Sequence, residues 1–101
     1  MKLTEIQPKP KTVAELFTRH PECWTQGVFF KDESDHELAN ADKATRCCLA
    51  GAIGFVHNYD VVCNPLFYRV YDFLHQSVSK FNDAPNRTVA EIIQLAQEAG
   101  V

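Results

Sequence analysis

From Cys47 to Val56 the chain reads Cys-Cys-Leu-Ala-Gly-Ala-Ile-Gly-Phe-Val, with no charged or strongly polar side chain. A helix over this stretch is apolar on nearly every side, and such a helix belongs in the middle of a molecule. The run falls well short of the about 20 apolar residues that cross a bilayer, so the pattern predicts a buried core helix. Asn40 is placed to cap it, Asp42 suits its positive end, and Asp42 and Arg46 stand at i,i+4 spacing, which together extend the predicted helix over about 41–57. Gly51 and Gly54 each cost about 1 kcal/mol relative to Ala in a helix interior. Their presence predicts that another helix, or the aromatic ribbon before it, approaches the backbone closely there.

Three more helices follow from the same kind of pattern. Thr12 and Glu15 have capping-box spacing and open a helix over about 13–19, with Val13, Leu16 and Phe17 inward and Pro21 as its stop. Asn64-Pro65 opens another in the favoured order of cap then proline. Its apolar stripe is Leu66, Phe67, Val70, Phe73, Leu74 and Val78, opposite Arg69, Asp72, Gln76 and Ser79. Thr88 and Glu91 repeat the capping spacing before a last helix with Val89, Ile92, Ile93, Leu95, Ala96 and Ala99 inward, which Gly100 can end. Between the first two helices, Val28-Phe29-Phe30 predicts a short strand, Asp32 to Asp35 a polar turn, and His36 to Leu38 the returning partner. Val61 to Cys63 reads as a short buried connection, and Phe81 to Arg87 as a loop rich in turn formers. The expected fold is mainly α: a compact four-helix domain around a central buried helix at about 41–57, with a short β-hairpin or ordered loop at about 25–38. Residues 1–101 form a single domain in this reading, with residues 1–9 a flexible lead-in.

Composition narrows the function classes. The 101 residues are enough to bury roughly two-thirds of the unfolded surface, and 46 % hydrophobic content argues against disorder. The formal net charge is −3 and the ten Lys and Arg residues are scattered, so the basic footprint that nucleic-acid binding needs is missing. Four cysteines, Cys23, Cys47, Cys48 and Cys63, stand in a chain whose first residues carry no apolar leader. Reduced, buried thiols in a cytoplasmic protein are the expectation.

The candidate chemistry is thin. Cys48 with a histidine could form a nucleophile and base, but in a helix over 41–57 it lies past the reach of the N-terminal dipole, which favours a packing role. His20-x-x-Cys23 resembles half of a zinc site, to be completed by Cys47 or Cys48 and Cys63, yet no second closely spaced pair exists, so neither a metal nor a cofactor is expected. Asn82, Asp83 and Arg87 can organise their turn, with Arg87 pairing a carboxylate such as Asp83, or can meet a partner or a small anionic ligand. Trp24, Phe29 and Phe30 are more aromatic surface than a short ribbon buries, because alternation points Phe29 and Phe30 to opposite sides.

Three segments carry a likeness. Trp24-Thr25-Gln26-Gly27, Cys48-Leu49-Ala50-Gly51-Ala52-Ile53 and Phe81-Asn82-Asp83-Ala84-Pro85-Asn86-Arg87-Thr88-Val89-Ala90-Glu91-Ile92 resemble a family of small bacterial and bacteriophage proteins over about residues 13–99. Its members carry a Trp-x-Gln-Gly-like segment, a Cys-x-x-Gly-Ala helix and an Asn-Asp-x-Pro-x-Arg-Thr-x-x-Glu loop and helix. This chain departs from that pattern at Cys47, where an aromatic is usual, and at Phe81, where Trp is frequent. The resemblance carries no activity, but it implies an accessory protein acting on a host component. The expected function is therefore a small non-enzymatic protein-binding domain that modulates or inhibits a host protein. Its contacts would be Trp24, Phe29, Phe30, Asn82, Asp83 and Arg87. The alternatives are a cysteine-dependent enzyme or ligand-binding domain using Cys48, a histidine and the 82–87 loop, and a homodimer formed through the aromatic ribbon.

Overall fold

A computed structural model of the chain describes every residue except 62 and 63, so part of the expected Val61 to Cys63 connection lies outside the described residues. Helices α1 (Val13–Arg19), α2 (Leu49–His57), α3 (Pro65–Leu74), α4 (Val78–Asp83) and α5 (Val89–Ala99) accompany a small antiparallel sheet of β1 (Phe30–Lys31), β2 (Glu37–Leu38) and β3 (Arg46–Cys47), which meets the helices at the start of α2. The sheet order is β2-β1-β3. The fold is mainly α with a short hairpin, as the pattern predicts. Helix α2 is its centre, with seven of nine residues buried.

The beginning of α2 differs from the expectation. Asn40 caps no helix; its side chain accepts from the Asp42 N–H and turns the chain. Residues 44–48 then run beside β1 and the N-terminal segment. The Ala44 carbonyl accepts from Leu3, Thr45 donates to the Lys31 carbonyl, and Cys48 donates to the Phe29 carbonyl. These partners lie 14 or more residues away, and together they outweigh the local helix propensity that Ala41, Lys43 and Ala44 supply. Arg46 consequently pairs with Asp35 at 2.6 Å and not with Asp42.

Gly51 shows why the core helix carries glycine. A Cβ there would meet the Phe29 carbonyl oxygen inside contact distance and lie 3.2 Å from Phe30 Cε1. The aromatic ribbon passes directly over the helix backbone, the close approach that the two glycines suggested.

The third expected helix is two. Helix α3 ends at Leu74, His75 turns left-handed at φ 55, and Ser77 caps α4 by accepting from the Lys80 N–H. The break lets Val70 and Val78 both reach the core while Phe73 stays exposed. It also makes Phe81, Asn82 and Asp83 helical, where a loop was expected. Helices α1 and α5 keep their expected ends, with Thr12 and Thr88 as caps and Gly100 left-handed after α5. They pack along each other. The lead-in is docked: Leu3 and Ile6 are buried, and Arg19 donates to the carbonyls of Gln7 and Pro8.

Candidate functional site

Asn82 is the most connected polar side chain in the interior. It is 0 % exposed, because α4 carries it in against the start of α2. Its Oδ1 accepts from Trp24 Nε1 at 2.7 Å and from the Leu49 N–H at 3.0 Å. Its Nδ2 donates to the Thr25 carbonyl at 3.1 Å and to Asp83 Oδ1 at 2.8 Å. A buried amide with all its capacity used in this way fixes the geometry of each group it touches.

Neighbouring residues complete the lock. Gln26 Nε2 donates to the carbonyls of Asn82 and Ala84, covering the end of α4. Asp83 Oδ1 accepts from the Gly27 N–H at 2.9 Å. Gly27 has φ +88 with open space beside its Cα, so glycine is required there by conformation and not by crowding. Arg87 does not pair with Asp83. Its Nε donates to the Phe81 carbonyl, its guanidinium stacks 3.8 Å from the Phe81 ring centroid, and Nη1 reaches Glu91 Oε2 at 3.0 Å. Glu91, held by Thr88 and Arg87, sits below the usual carboxylate range.

Beside this lock lies a cleft of about 210 Å³, bounded by Gly27, Val28, Phe29, Glu37, Cys48, Ser79 and Asp83. Each of the three interlocked segments supplies one wall residue: Gly27, Cys48 and Asp83. Cys48 is the N-cap of α2, its Sγ accepting from the Gly51 N–H at 3.4 Å. That placement corrects the expectation that it lies beyond the helix dipole, and the reason is the later start of α2. Its thiol is nevertheless pushed up to about 11, chiefly by burial and further by the Asp83 carboxylate, against the lowering effect of the helix N–H groups. Burial also raises Cys23 and, more strongly, Cys47.

No imidazole lines this cleft. His20 contacts Glu22, His36 contacts Asp32, His57 contacts the Val101 carbonyl, and His75 ends α3. With this thiol neutral at physiological pH, iodoacetamide should alkylate Cys48 about two orders of magnitude more slowly than a free small thiol. Peptide mass spectrometry after timed native labelling measures this, and a Cys48 rate matching a free thiol would contradict it. Among the described residues no group of three or more metal-capable side chains gathers; Cys63 is not one of them. Nor is any described helix long and apolar enough to cross a membrane.

A family model, Family of unknown function (DUF6197), matches residues 11–100. The chain belongs to that family. The match takes in all of the lock and the cleft, together with every helix from α1 to α5. No curated protein and no solved structure matches the chain.

For this family member the nominated residues divide by direction. Phe30 is 2 % exposed and Asn82 fully enclosed, so neither can touch a partner. Trp24 is half-buried and Arg87 is committed to Phe81 and Glu91. Phe29, 36 % exposed, and Asp83 face outward at the cleft. Gln26 and Gly27 belong to the site without having been nominated, although the Trp-x-Gln-Gly pattern pointed at them. Glu37 and Ser79 gave no signal, because one sits in a hairpin and the other on a polar helix face, positions that solvated residues fill by default.

Proposed function

We propose that this chain is a non-catalytic protein-binding domain whose contact surface is the cleft between Phe29 and Asp83. The observation that carries this reading is the convergence of the three interlocked segments on that one cleft. Hydrogen bonds donated by Asn82 and Gln26, and one accepted by Asp83 from the Gly27 N–H, hold its walls in place before any partner arrives, which lowers the entropy lost on binding. At about 210 Å³ the cleft is smaller than the about 300–1,000 Å³ of pockets for drug-sized ligands. It suits one side chain of another protein better than a cofactor.

The resemblance to bacterial and bacteriophage proteins extends the proposal to an accessory factor that modulates or inhibits a host protein. The second reading, a cysteine-dependent enzyme or ligand-binding domain, draws support from Cys48 at the start of α2 on the cleft wall. Its raised thiol and the absence of an imidazole from the cleft weigh against it. A third reading, a homodimer formed through the aromatic ribbon, has light scattering as its test; exposed Tyr68, Tyr71 and Phe73 offer α3 as another face for a second copy.

Affinity capture from bacterial lysate with wild type and Phe29→Ser separates these readings. Phe29→Ser removes the exposed ring while leaving the Phe29 carbonyl to accept from Cys48. A protein retained by wild type and lost by Phe29→Ser, with circular dichroism unchanged, is the expected outcome. Identical captures by both would defeat the assignment of the contact to this cleft.

A further inference from the structure

We infer that the cleft receives an arginine side chain from an exposed segment of the partner protein. This rests on the protein-binding reading above and adds the chemistry of the contact. Two acidic residues, Glu37 and Asp83, line the cleft with Phe29, whose exposed side chain lies on the same hairpin face as Glu37, and no basic residue is among the lining. Among the described residues neither carboxylate takes part in an ion pair, and each is therefore open to a cation from outside the chain.

The start of α2 also faces this region, and its dipole amounts to about half a positive charge. Two full negative charges outweigh it: Lys31, opposite Glu37 in the hairpin, is drawn to Asp35 at 3.5 Å, and two of the first N–H groups of α2 are taken, Leu49 by Asn82 and Gly51 by Cys48. The field in the cleft therefore selects a cation. An aromatic wall selects among cations: a guanidinium is planar, weakly hydrated and stacks on a ring face while its N–H groups reach carboxylates, which a compact, strongly hydrated ammonium does less well.

The chain contains its own example of this arrangement. Arg87 lies 3.8 Å from the Phe81 ring centroid and pairs with Glu91. The cleft presents the same ring and carboxylate chemistry outward. Ser79 and the Cys48 thiol add short polar groups beside it, and the small volume admits one extended side chain but little more.

The test is titration of uniformly 15N-labelled full-length protein with acetyl-Gly-Arg-Gly-amide and with the same peptide carrying citrulline, which has the shape of arginine without its charge. The arginine peptide should shift the amides of Gly27, Val28, Phe29, Glu37, Ser79 and Asp83 saturably. The citrulline peptide should bind about tenfold more weakly, a loss of the size that one charge-assisted contact supplies. Glu37→Gln, which removes no hydrogen bond of the fold, should weaken the arginine peptide about threefold to tenfold, and raising salt should do the same. Asp83→Asn, which keeps an oxygen for the Gly27 N–H, is the second variant. Equal binding of the two peptides, or binding indifferent to both variants and to salt, overturns the arginine assignment. Silence of the cleft amides towards both peptides overturns it too. If Phe29→Ser still loses a captured protein in those cases, the protein-binding reading stands without it.

Discussion

Asn82→Ala lowers the unfolding free energy by about 3–5 kcal/mol, the upper range for a single substitution. The alanine strips partners from four groups at once: Trp24 Nε1, the Leu49 N–H, the Thr25 carbonyl and Asp83 Oδ1. A group left buried without a partner costs about 1–3 kcal/mol. Asp83 is exposed and keeps the Gly27 N–H, so the loss is concentrated on the other three. Urea denaturation at neutral pH is the measurement. Because Trp24 is the only tryptophan and donates to Asn82, its emission should shift to the red in the folded variant. Trp24→Phe removes one of the same bonds, so the double variant should lose less than the sum of the two single losses. A drop under about 1 kcal/mol for Asn82→Ala, with emission unchanged, would show that the lock contributes little to the fold.

Gly51→Ala destabilises by about 2–3 kcal/mol even though alanine is the better helix former by about 1 kcal/mol. The new methyl group meets the Phe29 carbonyl, and a backbone atom cannot rotate away as a side chain can. Relief requires β1 to lift from α2, which would loosen the Cys48 to Phe29 hydrogen bond and shift the cleft wall. Thermal unfolding followed by circular dichroism gives the magnitude, and faster hydrogen exchange at the Cys48 amide gives the location. A neutral or stabilising alanine would mean that the ribbon does not press on the helix.

The two substitutions act on different aspects of one junction, and the sequence disclosed them unequally. Gly51 could be read as a place of close approach, since two glycines in an apolar helix must be offset by something near the backbone. Asn82 could not be read as the hub. In sequence it sits among Asn, Asp, Pro and Arg, a composition that signals a turn, and only the break at His75 makes α4 a separate helix aimed at the start of α2. Phe29 and Phe30 were known to point apart, yet which of them faced outward depended on β1 lying over Gly51. Arg87 found Glu91 four residues away on the first turn of α5 and not the nearby Asp83, because its Nε donates to the Phe81 carbonyl and its guanidinium stacks on the Phe81 ring, which turns Nη1 towards Glu91.

By itself the sequence determined the features whose causes lie within a few residues. These include the capped starts of α1, α3 and α5, the left-handed end after Ala99, the polar turn of the hairpin and the burial of the apolar run, since caps and periodicity act at three or four residues' distance. The tertiary structure decided where α2 begins, how the third helix divides, and that Gly27, Cys48 and Asp83 share one cleft. The start of α2 and the shared cleft depend on hydrogen bonds between residues 14 to 58 positions apart, and the same long-range bonds hold α4 against α2 through Asn82. Such bonds form only once the chain has closed on itself, and no local pattern encodes them.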